Sequence, residues 1–175
     1  MTAGALEVRP LAAGELERAC SHMTWRPRET HERRFAEQAA DRYRYFVAWS
    51  DGVAVGHVGL GFPDDRNLWH LIEYGWCGVV DDLFVELGHR ERGIGHALMA
   101  SLESEAVAAG LPRLALDTGV DAGYGRARAL YRSMGWTDGG GVFIASSQLP
   151  AGSAAQYFIE ILTVWRKSLS QARPP

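Results

Sequence analysis

The central third of the chain changes its hydrophobic period twice within thirty residues. Val79 and Val80 open an apolar, β-branched run that is broken by Asp81 and Asp82 and resumes as Leu83-Phe84-Val85, which predicts a strand. A turn rich in glycine and arginine follows (Gly88, Arg90, Arg92, Gly93, Gly95). Ile94, Leu98, Leu102 and Ala106 then recur at every fourth position, so they share one face of a helix. Gly110 and Pro112 are stop signals for that helix. Residues 113–117 read as the next strand, running into Thr118-Gly119. Strand, helix and strand in this order make a βαβ unit, so residues 79–85 and 113–117 are expected to run parallel.

On the N-terminal side, Leu6-Glu7-Val8-Arg9-Pro10 alternates and stops at proline, a short first strand. Residues 12–22 read as a helix with Leu16 and Ala19 or Cys20 inward, and residues 23–27 interrupt it because proline and its predecessor resist helix. A second helix is predicted from about residue 29 to 41. It carries charge on nearly every side except at Phe35 and Ala39, which predicts a surface helix with a solvated His31 beside Glu29, Glu32 and Arg33. Residues 43–49 and 53–62 are strand-like and join at Ser50-Asp51-Gly52, a hairpin signal. His57 lies on the second of these strands, where a half-buried, hydrogen-bonded histidine is expected. Residues 63–76 carry acids and large rings, and read equally as a lid over a site or as a surface loop whose rings pack on the sheet. Further on, residues 125–134 form a helical stripe with Ala127, Leu130, Tyr131 and Met134, ended by Gly135. A strand starts at Trp136, Gly139-Gly140-Gly141 reads as a mobile bend, residues 146–154 as a loop, and 157–164 as the last strand.

Composition adds limits. A chain of 175 residues, 47% hydrophobic and 22% charged, suffices for one domain with a core, and no interdomain linker or repeat interrupts it. A net charge of −3 gives no basic field for nucleic acid. There is no apolar run of membrane-spanning length and no secretion signal, so a cytoplasmic protein without membrane contact is expected. Cys20 and Cys77 are too few and too far apart for a disulfide framework or metal site.

The glycine turn suggests chemistry. Gly93 and Gly95 let backbone approach a ligand without a Cβ in the way. Free N–H groups and the positive dipole end at a helix start suit a phosphate, and Arg90 and Arg92 add charge there. No Gly-Lys-Ser/Thr follows, and the Gly-x-Gly-x-x-Gly spacing is absent, which excludes two common phosphate loops. Arg90-Glu91-Arg92-Gly93-Ile94-Gly95, preceded by Asp82-Leu83-Phe84-Val85, resembles the acetyl-CoA pyrophosphate loop of GNAT-family N-acetyltransferases. The segment from Tyr124 to Tyr131, followed by Gly135-Trp136, is similar to the late GNAT pattern Asn-x-x-Ala-x-x-x-Tyr with its trailing glycine and aromatic. Tyr124 stands where that family often has asparagine, and Glu91 where it commonly has glycine.

The resemblance implies a mixed α/β fold: a twisted sheet of about six to seven strands, its central parallel pair splayed, flanked by helices. The pantetheine arm of acetyl-CoA would pair with backbone near Leu83, Phe84 and Val85. The pyrophosphate would lie on Arg90, Glu91, Arg92, Gly93, Ile94 and Gly95, with Tyr124 and Ala127 as further cofactor contacts. The activity implied is direct transfer of acetyl, in a ternary complex, to a primary amine of a small cationic molecule. Such transfer needs a base, an oxyanion stabiliser and an acid for the thiolate. By the motif, Tyr131 is the acid, a phenol of pKa about 10 being protonated at neutral pH. Asp81-Asp82 is similar to an acid pair of polyamine acetyltransferases in the same superfamily, which makes Asp81 the base, through a water, and Asp82 the attractor of the acceptor. Period-2 alternation sends the two acids to opposite faces unless a bulge intervenes, so one of them, Asp81 by preference, is expected to line the pocket. Trp25, His31, Glu73 and Trp76 are further candidate acceptor contacts. A non-catalytic acyl-CoA-binding or sensing module and a protein N-acetyltransferase are the alternatives. A homodimer through sheet edges, with residues 157–164 as the edge strand, is the fold-level expectation.

Overall fold

The computed structural model describes residues 5–63, 75–148 and 157–169. Most of the predicted lid or loop, including Asp64, Asp65, Trp69, Glu73 and Tyr74, lies outside the described residues. The fold is mixed α/β. Its strands are β1 (Leu6–Pro10), β2 (Tyr43–Ser50), β3 (Val53–Gly61), β4 (Gly78–Val85), β5 (Arg113–Gly119), β6 (Thr137–Gln148) and β7 (Tyr157–Ser168). Among the described residues the α-helices are α1 (Leu16–His22), α2 (Arg28–Ala39), α3 (Ile94–Ala108) and α4 (Gly125–Ser133). The chain divides into two compact units, Met1–Leu114 with Ser168–Pro175, and Ala115–Lys167.

In the first unit β1, β2, β3 and β4 pair in that order, every pair antiparallel. Asp51 and Gly52 both have positive φ, the backbone of a two-residue hairpin turn whose twist matches its strands, and Ser50 pairs with Val53 across it. β2 is buried along nearly its whole length because helices cover both faces. Tyr43, Tyr45, Val47 and Trp49 share a cluster with Leu11, Ala19 and Met23, with Leu16, Trp25 and Phe35 packed against it. On the opposite face α3 lays down the predicted stripe, with Ile94, Leu98, Leu102 and Ala106 all buried. α2 departs from the surface helix expected of it. His31 and Arg34 are buried, whereas Ala39 is exposed. A polar residue on the inward stripe of a charged helix is invisible to a hydrophobic pattern, and here both find polar partners inside.

The β3–β4 ladder carries the feature on which the site depends. His57 faces Phe84 and Gly59 faces Asp81, so Val58 alone stands opposite two residues, Asp82 and Leu83. This is a β-bulge on β4, and Asp82 at its start adopts φ +49°. A left-handed conformation costs an L-residue about 1–2 kcal/mol, with aspartate among those that tolerate it best.

In the second unit β7 lies between β5 and β6. The edge strand is therefore β6, not residues 157–164 as expected from the sequence, and β7 also runs on past Val164 to Ser168. Gly139-Gly140-Gly141 lies inside β6 as a register shift between Asp138 and Val142, and residues 146–148, expected in a loop, pair with 157–159. Chain neighbours thus form a long hairpin, and the ladder overrides glycine and serine composition. Tyr131 of α4 is buried, its ring 6.0 Å from the centroids of both Trp136 and Trp165.

Gly59 provides a test of this packing. A Cβ added there would overlap the Tyr43 hydroxyl, which reaches across β3 at that point. Gly59→Ala is expected to cost about 1–3 kcal/mol by overpacking, read as a lower denaturant midpoint with an unchanged slope; a midpoint equal to wild type would contradict the packing.

Candidate active site

The bulge alters what the two neighbouring acids can do. Strict alternation would put one of them on each face, but the extra residue swings both towards α2. A single NH2 group of Arg34 bridges them, its Nη2 3.1 Å from Asp81 Oδ2 and 2.9 Å from Asp82 Oδ2. The alternation that would send the two acids to opposite faces is thereby broken. The cause is the one condition alternation leaves open, a bulge.

Beyond Arg34 the two carboxylates differ. Asp82, 14% exposed, takes Arg26 in a two-point pair, Nε at 2.9 Å and Nη2 at 2.6 Å, and His57 Nε2 at 3.1 Å. Asp81, 48% exposed, receives Tyr43 O–H at 2.8 Å on the same oxygen that meets Arg34. Its Oδ1 has no hydrogen bond among the described residues. Burial works against ionisation of Asp82, but hydrogen bonds from His57 and Arg26 and the nearby cations outweigh it and hold its carboxyl far below the ordinary range. Two arginines and two aspartates balance in charge.

The buried histidines have fixed tautomers. Trp25 Nε1–H can only donate, so His57 Nδ1 accepts at 3.3 Å and the ring proton sits on Nε2, facing Asp82. The Met23 carbonyl can only accept, so His31 donates from Nε2 at 2.9 Å and its Nδ1 accepts from Tyr45 O–H at 2.6 Å. Burial lowers both pKa values, so both rings are neutral near pH 7. His31, expected in solvent, is therefore fully buried and satisfied. His57, expected half-buried, is fully buried. Arg34 is only 4% exposed, and its Nε and Nη1 have no hydrogen-bond partner among the described residues. Its guanidinium instead lies 5.5 Å from the centroid of the Tyr45 ring.

Trp25 stacks on Phe84 with centroids 5.1 Å apart, and so joins this cluster. Trp76 does not; it is exposed, and its carbonyl accepts from Arg113 Nε at 3.4 Å. Glu73 lies outside the described residues. The contributions of Arg26, Arg34, Tyr43, Tyr45 and His57 were missed from the sequence. Trp25-Arg26 just before Pro27 and the tyrosines on a buried strand were the available signals, but nothing in spacing assigns them partners.

After β4 the chain turns through Leu87–His89 into the glycine loop. Glu91 adopts φ +63° and Gly93 φ +77°. Glutamate thus holds the backbone shape that glycine favours, which answers the departure from the motif at this position. Gly93 is the N-cap of α3 and has no side chain to cap it, and a Cβ at Gly93 would meet nothing within 4 Å. Exposed Arg92 and Arg90 beside the start of a helix of fifteen residues with a glycine N-cap fit a diphosphate. Ile94 gives only its backbone, because its side chain is in the core.

In the second unit, Tyr124 donates to Glu160 and its ring covers Gly119. Ala127 is half-buried one turn before Tyr131 on α4. Burial, with Asp117 nearby, pushes the Tyr131 phenol up to about 12.

Residues 12–136 match the acetyltransferase (GNAT) family, well over half of the chain. The chain belongs to that family. This GNAT chain is 37% identical over 98 residues to a protein named IAA acetyltransferase from Azospirillum brasilense, a match spanning 55% of this chain and 56% of that protein. The chain thus spans about half the length of that relative. Its fold is similar to a phosphinothricin acetyltransferase from Sinorhizobium meliloti solved in complex with AcCoA (TM-score 0.69, 17% identity, covering 100% of this chain and 94% of that one). It is also similar to a ribosomal-protein-alanine N-acetyltransferase from Brucella melitensis (TM-score 0.69, 19% identity, 93% and 99% covered). GNAT acetyltransferases depend on acetyl-CoA, and the fit of the glycine loop to a diphosphate agrees with that.

The two acids should respond differently to neutralisation. Asp82→Asn leaves buried Arg34 with only the flank of Asp81 and is expected to cost about 3–5 kcal/mol, whereas Asp81→Asn, with its half-exposed carboxylate, should cost under about 1 kcal/mol. Because the folded-state pKa of Asp82 is depressed, its stabilisation is complete above the unfolded value near 3.8 and drains as pH falls below it. Denaturant unfolding of both variants at pH 7 and pH 3 checks this; equal losses at pH 7 would remove the distinction.

Proposed function

We propose that this GNAT acetyltransferase moves an acetyl group from acetyl-CoA directly to a primary amine of a small molecule. The observation that carries the reading is the division of labour between the neighbouring acids. Asp82 is saturated by Arg26, Arg34 and His57, while Asp81 keeps one oxygen without a partner among the described residues.

Asp81 is the base. Held from one side by Tyr43 and Arg34, its remaining oxygen takes a proton from the acceptor's ammonium, directly or through one water, so that the neutral amine can attack. When bound, acetyl-CoA supplies the thioester carbonyl at which C–N bond formation and C–S bond cleavage occur. The backbone N–H groups at the start of α3, with Arg90 and Arg92, hold the diphosphate, and the backbone of Leu83, Phe84 and Val85 pairs with the pantetheine amides. Tyr131 gives its phenolic proton to the departing sulfur and regains one from solvent. Burial holds that proton in place up to about pH 12, so the phenol is protonated across the working range.

Asp82 in this reading is a positioning residue and not the acceptor's counter-ion. With the charges of Arg26 and Arg34 balanced against the two acids, selection of a cationic acceptor rests on the open oxygen of Asp81, while Trp25 and Phe84 stack against His57 and Arg26.

Two measurements test the proposal. A thermal melt with acetyl-CoA, CoA, ATP and NAD should show stabilisation by the CoA species alone, about 2.7 kcal/mol at one hundred times Kd, and Gly93→Asp should abolish it. Tyr131→Phe should lower kcat by about 100-fold or more while the Kd for acetyl-CoA stays within about twofold. Unchanged turnover would take the acid role from Tyr131, and saturable CoA binding with no transfer to any amine of a panel would favour a sensing module instead.

A further inference from the structure

Arg26 has more hydrogen-bonding capacity than the acid cluster uses. Pro27 disfavours helix at the residue before it, so Arg26 stands in the turn between α1 and α2 and on neither helix. Its Nε and Nη2 meet the two oxygens of Asp82, and its Nη1 donates to the Trp25 carbonyl at 3.2 Å. A guanidinium carries five N–H groups. Three are engaged here, which leaves one on each Nη nitrogen without a partner among the described residues. The side chain is 39% exposed whereas Arg34 is buried, so of the two cations in the cluster Arg26 is the one that solvent reaches. The hydrogen bond to Asp82 raises its pKa against the effect of burial. The charges of Asp82 and of Asp81 add to the rise, so the exposed acid lies within electrostatic reach of the exposed cation.

The cluster thus presents one anion and one cation to solvent: the half-exposed carboxylate of Asp81, with its open oxygen, and the unpartnered N–H groups of Arg26. We propose that the acceptor is a zwitterion, an amino acid or a close analogue, whose carboxylate is bound by Arg26 while its amine lies on Asp81. This rests on the reading of Asp81 as the base and adds the acceptor's second charged group to it. The two Nη nitrogens of one guanidinium can meet both oxygens of a carboxylate in charge-assisted hydrogen bonds. Asp82 already holds the guanidinium at two points, so the remaining donors are fixed in direction before the acceptor arrives. A polyamine fits this site poorly. Asp81 and Asp82 are balanced by Arg26 and Arg34, so no net negative charge remains for a second ammonium, and the exposed guanidinium repels it. A zwitterion leaves the charge balance as it is, and each of its charged groups meets its opposite.

The experiment measures kcat/KM for release of CoA from acetyl-CoA with three groups of acceptor: the protein amino acids, the amide and the decarboxylated amine of the best of them, and the polyamines putrescine and spermidine. The amide's amine is less basic than that of the amino acid, and the decarboxylated amine is more basic. A loss common to both therefore reports the missing carboxylate and not the ionisation of the amine. Both should fall about 100-fold below the amino acid, and the polyamines at least as far. Arg26→Gln should bring the preference for the amino acid over its amide to within about threefold, whereas Arg26→Lys, which keeps the charge, should retain about tenfold. Any disturbance of Asp82 by these variants acts on both acceptors alike and cancels in the ratio. The assignment is overturned if wild type accepts the amide or the decarboxylated amine as well as the amino acid, if it prefers a polyamine, or if the preference survives Arg26→Gln; amine acetylation then still stands. If acetyl-CoA binds and no amine of any group is acetylated, the reading of Asp81 as the base falls and the zwitterion falls with it.

Discussion

The two-point pair between Arg26 and Asp82, closed by Arg34 and His57, is the constraint on which the site depends. Asp82 sits at φ +49° in a bulge, a conformation that needs compensation. Four donor contacts from three side chains supply it. The contacts come from three separate parts of the chain: the turn after α1, the middle of α2, and β3. Fixing one carboxylate therefore fixes the seat of both N-terminal helices on the sheet. The strain and the ion cluster are one arrangement, because the bulge is what brings the carboxylate within reach of all three partners.

That arrangement also separates the chemistry of two adjacent residues of the same type. A carboxylate whose oxygens accept three hydrogen bonds and meet a further ion pair, and whose pKa is forced far down, has little affinity for a further proton. Its neighbour shares Arg34 but among the described residues is otherwise held only by Tyr43, and is half-exposed. In the proposed reading, the identity of the base is a matter of how many donors each oxygen already has. Gly59 belongs to the same logic, because the absence of its side chain is what lets the Tyr43 ring cross β3 to reach Asp81.

Much of the frame was legible in the sequence for physical reasons. The Ile94–Ala106 stripe follows one period to the end of its helix, and Asp51-Gly52 names its own turn type. The glycine loop and the Tyr131 segment carry their spacing in plain view, and together they gave the family. What could not be read is what depends on counting residues across strands. The bulge at Asp82 leaves no mark in β4 alone, since it exists only relative to Val58 on β3. Arg34 and His31 were hidden for a different reason: in a helix with so much charge, a polar residue facing inward does not disturb the pattern. The order of β6 and β7 was missed because serine and glycine composition suggested loop where a long hairpin supplied the hydrogen bonds.

Phe84 connects the cluster with the loop. It stands opposite His57 in the β3–β4 ladder, carries Trp25 on its face, and lies near both Arg26 and Arg90. Arg26 is committed to Asp82, whereas Arg90 is bound by one hydrogen bond to a neutral carbonyl. The two cations beside one ring therefore differ in how easily each can be drawn away. Asp82 fixes Arg26, and among the described residues nothing of comparable strength fixes Arg90. Movement on binding a polyanion should accordingly fall on the loop side of Phe84, and the acid cluster should keep its geometry while it does.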